Sequence, residues 1–183
     1  MKYHSNMTGC ELRDRVCALG FNSELPDDGN FFQSANQALE RMRNIIPLVA
    51  LTTVNVGTEV YDGLGVIDMS KKSLEGEFIG VKAIHGTDRY TVRNHLLYLP
   101  VSDNSYTVEY IYRPEPLSED NMGDPLGVDA SLDEAAALMT AYYVWMEDDA
   151  DKAEAYRKEA EYAIAHILQH RQISSSRVVT NNW

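Results

Sequence analysis

The sequence predicts an α+β protein, mainly α, in which a four-helix core carries a small antiparallel β insertion in its middle and ends in an extended C-terminal tail. Three observations predict it. Apolar residues recur at helical spacing near both ends of the chain, the period shifts to two between Leu48 and Pro114, and capping signals mark where two of the helices begin. These bounds give a single domain over residues 1–172, with helical core at 8–46 and 129–170, β insertion at 48–114, and a tail at 173–183.

The first helix opens on Thr8-Gly9-Cys10-Glu11, a capping-box pattern in which each side chain answers the other residue's free backbone N–H. Leu12, Val16 and Leu19 form its apolar stripe, and Gly20 ends it. Beyond the turn-rich "NSELPDDGN", Phe31, Phe32, Ala35, Ala38, Leu39, Met42 and Ile45 repeat at helical spacing until Pro47 stops the run.

Four extended segments follow: "LVALTTVNV", "EFIGVKAI", "HLLYLPV" and "SYTVEYIYRP", the last two separated by the turn formers Ser102-Asp103-Asn104. In the last segment Tyr106, Val108, Tyr110 and Tyr112 share one face. Pro114 and Pro116 end it, and "LSEDNMGDPLGVDA" reads as loop. Ser131 to Glu134 has the form of a second capping box, opening a third helix with Ala135, Leu138, Met139, Tyr142 and Met146 on one side. A fourth helix is expected from about Asp149 to His170, burying Ala153, Tyr156, Ala160, Ala163, Ile164 and Ile167.

Composition narrows the function classes. An apolar share of 44 % and a charged share of 24 % are those of a folded globular chain. No apolar run is long enough to span a bilayer, and the polar Met1 to Thr8 lacks the form of a signal peptide, so a cytoplasmic start and no membrane partner are expected. A formal charge of -12 argues against holding nucleic acid, since that affinity comes from Lys and Arg on phosphates. It remains compatible with a wall past which DNA slides, because like charges repel the polyanion. Cys10 and Cys17 lack the CxxC spacing of zinc or redox sites and read as buried or semi-buried thiols.

Several clusters invite a chemical reading. Glu147 to Asp151 hold four carboxylates in five residues, but "EDDADKAEAYRK" lacks the central Gly of a calcium loop, and acidic residues at a helix start cap free N–H groups. A helix joint is therefore expected there. His166 and His170, four apart, have a spacing that can hold a divalent ion; no third ligand is evident, and two histidines near a helix C-terminus are favoured without one. Gly63 and Gly65 in "YDGLGV" read as a turn between strands, because no helix start or Lys-Ser pair follows them. No nucleophile stands with its base, so no catalytic residue, metal or cofactor is expected. Tyrosines of the last strand are expected in a core, while Tyr143 and Trp145, off the apolar stripe of the third helix, are candidates for a subunit interface.

Taken in order, "ELRDRVCALG", "FFQSANQALERMRN", a β unit ending in "YTVEYIYRPEPLS", and "DASLDEAAALMTAYYVWMEDDADKAEAYRKEAEYAI" resemble the head-tail adaptor (connector) proteins of tailed bacteriophages. Tyr110, Arg113, Pro114, Pro116 and Leu117 match that family's aromatic strand end and R-P-x-P-L, and Asp148, Ala153 and Tyr156 match its acidic joint and A-x-x-Y. "LPDDGNF" departs from it, where relatives often carry an aromatic residue such as Trp. The resemblance spans roughly residues 8 to 170 and implies a virion protein made in the host cytoplasm. Its partners would be further copies of itself in a ring, the portal protein above, a tail or neck protein below, and DNA in passage without sequence-specific binding. In relatives the C-terminal tail reaches onto the portal, which makes Arg177, Val178, Val179 and Trp183 the expected docking residues.

Overall fold

In the computed structural model, residues 5–20, 28–60 and 62–177 are described, without the side chains of 28, 29, 103 and 172–177. Two compact units emerge: a β unit over Pro47–Glu115, and a helical unit drawn from both flanks, up to Ile46 and from Pro116 onward.

The helical unit contains α1 (Gly9–Leu19), α2 (Asp28–Ile45), α3 (Asp133–Trp145) and α4 (Ala150–Arg177). The capping box at α1 is present as expected: the Glu11 N–H donates to the Thr8 hydroxyl, and the Thr8 N–H donates to the Glu11 carboxylate at 2.8 Å. Sequence alone gives α3 a one-sided stripe. In the structure Ala135 through Ala141, Val144 and Trp145 are all buried, because α3 is central and packs against α1, α2 and α4. A helix apolar all round belongs in such a position. Leu12, Val16, Phe31, Leu39 and Met42 complete the core from α1 and α2.

The second capping box forms differently. Asp129, not Ser131, supplies the cap: its Oδ1 accepts from the Ser131 N–H and hydroxyl at the head of a short 3-10 turn, Ala130–Leu132, that leads into α3. Nor does α4 stop near His170. It continues to Arg177, so residues 173–177, expected as extended tail, are helical; no Gly or Pro lies within the helix to end it earlier.

The mainly-α expectation with a small β insertion is overturned by the β unit. Among the described residues it holds six strands in two three-stranded antiparallel sheets, so the fold described is a mixed one of four helices and two sheets. One sheet has the order β1 (Leu48–Val56), β6 (Ser102–Arg113), β3 (Glu77–His85); the other has β2 (Leu64–Asp68), β5 (Leu96–Pro100), β4 (Thr91–Arg93). Two strands go beyond the sequence expectation: β2, which takes in Gly65 although that glycine reads as turn with Gly63, and β4, which has three residues. The turn itself is as expected: Asp62 and Gly63 take φ of 50° and 72°, a left-handed pair that glycine tolerates without strain. Ser102 to Asn104, expected as a turn, lie in β6; the chain breaks at Val101 instead, and β5 and β6 go to different sheets.

The tyrosine face of β6 builds a second core. Tyr106, Val108, Tyr110 and Tyr112 are buried with Leu48, Ala50, Val54 and Val56 of β1, Leu97 and Leu99 of β5, and Met69. Two hydroxyls are satisfied as burial demands. Tyr106 donates to the Pro100 carbonyl at 3.0 Å, and Tyr110 accepts from the Glu75 N–H at 3.2 Å.

Candidate functional site

The joint between α3 and α4 gathers most of the residues singled out by sequence. The Asp148 and Asp149 N–H groups both donate to the Trp145 carbonyl, closing α3. Asp149 Oδ1 then accepts the Lys152 N–H at 3.0 Å, and the Asp149 carbonyl accepts the Ala153 N–H, which makes Asp149 the cap of α4. The acidic run is therefore used in turning the chain. Among the described residues no three His, Cys, Asp or Glu side chains converge on a common point.

Trp145, a candidate for a subunit interface, packs within its own fold. It is buried, with its ring against Gly20, where an added Cβ would lie 2.3 Å from the indole. Its N–H donates to the Val16 carbonyl at 3.1 Å, and the Tyr156 hydroxyl donates to the Leu19 carbonyl. Both acceptors belong to the last turn of α1, where carbonyls have no intrahelical partner. Trp145 and Tyr156 thus cap α1 from across the fold. Tyr143 is half-buried and packs its ring 5.0 Å from that of Tyr142. Cys17 is half-buried, whereas Cys10 is exposed, contrary to expectation, because the buried stripe of α1 runs through Gly9, Leu12 and Val16.

Leu117, last residue of the R-P-x-P-L run, is locked by a contact that the sequence did not announce. Its N–H donates to Asn36 Oδ1 at 2.7 Å, and Asn36 Nδ2 donates back to its carbonyl at 2.9 Å. An Asn within the apolar run "FFQSANQAL" was the available signal. Arg43, also buried, donates from Nε to the Gly127 carbonyl and from Nη1 to Glu40, both at 2.7 Å.

At the far end of α4, Arg171 donates to Asp129 Oδ1 at 2.6 Å, tying the helix to the start of α3. Burial by itself would raise the Asp129 carboxyl, yet the hydrogen bonds from Ser131 and Arg171 outweigh it and hold the group below its usual range. Asp133, one turn on, goes the other way: burial raises it, against the Ser5 side chain and the Asn6 N–H on its Oδ2, and among the described residues no hydrogen bond reaches its Oδ1.

His166 and His170 do come together, with Nε2 atoms 3.2 Å apart on the exposed side of α4. Of the expected docking residues, Arg177 closes α4; its side chain, with Val178, Val179 and Trp183, lies outside the described residues. No described helix is long and apolar enough to cross a membrane.

No protein-family model matches the chain, and no curated protein matches it.

Proposed function

We propose that the chain is a structural subunit of a tailed-phage virion, a head-tail adaptor. Copies of it form a ring beneath the portal protein, extend the DNA channel, and offer the surface on which the tail or the next neck protein attaches. Its role is mechanical and not enzymatic; it is made in the host cytoplasm and resides in the neck of the virion. The proposal rests on the resemblance carried by Tyr110, Arg113, Pro114, Pro116, Leu117, Asp148, Ala153 and Tyr156.

One observation supports it above the others. Both flanks of the chain build one helical unit, and the β unit lies between those flanks in sequence, the order of parts that the resemblance implies. At the return, Leu117 is seated on Asn36 of α2, which gives the R-P-x-P-L run a structural purpose. The net charge of -12 suits a wall past which a polyanion moves without sticking.

The test is the mass of the purified full chain with and without the portal ring of the same genome. On the order of a dozen copies added to the portal, as matched cyclic symmetry would give, is the expected result. Failure to join the portal or any other virion neck component, together with absence from purified virions, overturns the proposal.

A further inference from the structure

We propose that His166 and His170 form a binding site for a late first-row transition ion of the zinc or nickel type on the exposed side of α4. The two residues lie one turn apart, and their rings meet edge to face, with centroids 4.4 Å apart at 65°. Their Nε2 atoms are 3.2 Å apart. An ion at ~2.0–2.1 Å from each nitrogen would close an N–metal–N angle of about 100°, between the octahedral and tetrahedral values. In these rotamers both ligands therefore already stand at chelating distance.

Without an ion the two nitrogens face each other across one N–H···N contact, in which one ring carries its proton on Nε2. Binding needs both lone pairs on the ion. A ring that carries its proton on Nε2 has to carry it on Nδ1 instead before that nitrogen can ligate. The remaining positions fall to water, for which there is room: a cavity of about 390 Å³ borders His166, lined also by Tyr162, Ala165, Leu168 and Gln169. Imidazole nitrogens favour such ions over Mg²⁺ or Ca²⁺, which prefer oxygen.

Because the two ligands bracket one helical turn, an ion that bridges them holds that turn closed. Binding is thereby linked to the order of the last part of α4. The inference stands apart from the adaptor reading.

The experiment titrates the untagged full chain with Zn²⁺, and separately with Ni²⁺, in excess Mg²⁺ that occupies weak carboxylate sites. Calorimetry reads the binding, and circular dichroism reads the thermal midpoint. One ion per chain is expected, with a midpoint that rises as the metal is added. His166→Ala and His170→Ala should each weaken binding by on the order of 10-fold or more, and the double variant should abolish it, with the metal-free helical signal unchanged. Binding that survives the double variant, or that either single variant leaves intact, overturns the inference, as does the absence of binding by the parent chain at millimolar metal.

Discussion

The indole N–H of Trp145 donates to the carbonyl of Val16 at 3.1 Å, across 129 residues of sequence. With the Tyr156 hydroxyl on the Leu19 carbonyl, it completes the end of α1. The C-terminus of that helix is thus finished by the joint between α3 and α4, and Trp145 and Tyr156 serve the chain's own fold.

Trp145→Phe keeps most of the packing and removes the donor, and should lower the stability of the helical unit by about 1–2 kcal/mol. Trp145→Ala also leaves a large cavity and should cost about 3–5 kcal/mol. Urea denaturation followed by circular dichroism separates the two; no loss in Trp145→Phe would mean that the hydrogen bond contributes nothing.

Asn36→Leu removes both hydrogen bonds that hold Leu117. It leaves a backbone N–H and a carbonyl unpaired beside the core, at an expected cost of about 2–4 kcal/mol. Amide exchange at Leu117 should accelerate in this variant before exchange at Leu12 or Met139, which lie deeper in the same unit.

The two aspartates at the start of α3 give opposite pH dependences. Asp129 has a lowered folded-state pKa, so its contribution is present above the unfolded value of about 3.9 and is lost as pH falls through the depressed one. Asp133 has a raised one, so its contribution is present below that unfolded value and is lost as pH rises through the raised one. Asp129→Asn should therefore destabilise the protein at pH 7 and much less near pH 2. Asp133→Asn should raise the melting temperature at pH 7 and lose that advantage in acid. Melting curves of both variants across this range check the signs.

Leu51 is 62 % exposed on β1, an edge strand of its sheet, while its neighbours Ala50 and Val54 are buried. Leu51→Lys should change stability by less than about 0.5 kcal/mol, whereas Val54→Asp should unfold the β unit by burying an unpaired charge. Tyrosine fluorescence against urea distinguishes these outcomes.

Much of the helical unit was legible because its signals are local. Thr8 and Glu11 sit within one turn and need no distant partner for their box, and Pro47 follows the end of α2, whereas the same pattern at Ser131 to Glu134 gives way to the Asp129 cap. The alternation of Tyr106, Val108, Tyr110 and Tyr112 fixes one face of β6 for the same reason, since the period of a strand is two. The joint at Asp149 followed from the preference of acidic groups for a helix start.

What tertiary structure decided lies between distant segments. Sheet membership of β5 and β6, adjacent in sequence and apart in pairing, depends on which strands arrive alongside them, and β-pairing is set by partners that no local window contains. Trp145 and Tyr143 stand two apart on one helix and looked alike as surface candidates; only the approach of Gly20 and the Val16 carbonyl buries the first and leaves the second half-exposed. His166 and His170 were visible as a spacing, but the 3.2 Å between their nitrogens depends on rotamers that are set in the folded helix. The sequence by itself determined the start of α1, the joint before α4 and the buried face of β6, because those follow from backbone geometry over a few residues. The folded structure decided the partners, because burial and unpaired carbonyls are satisfied by whatever the rest of the chain brings within reach.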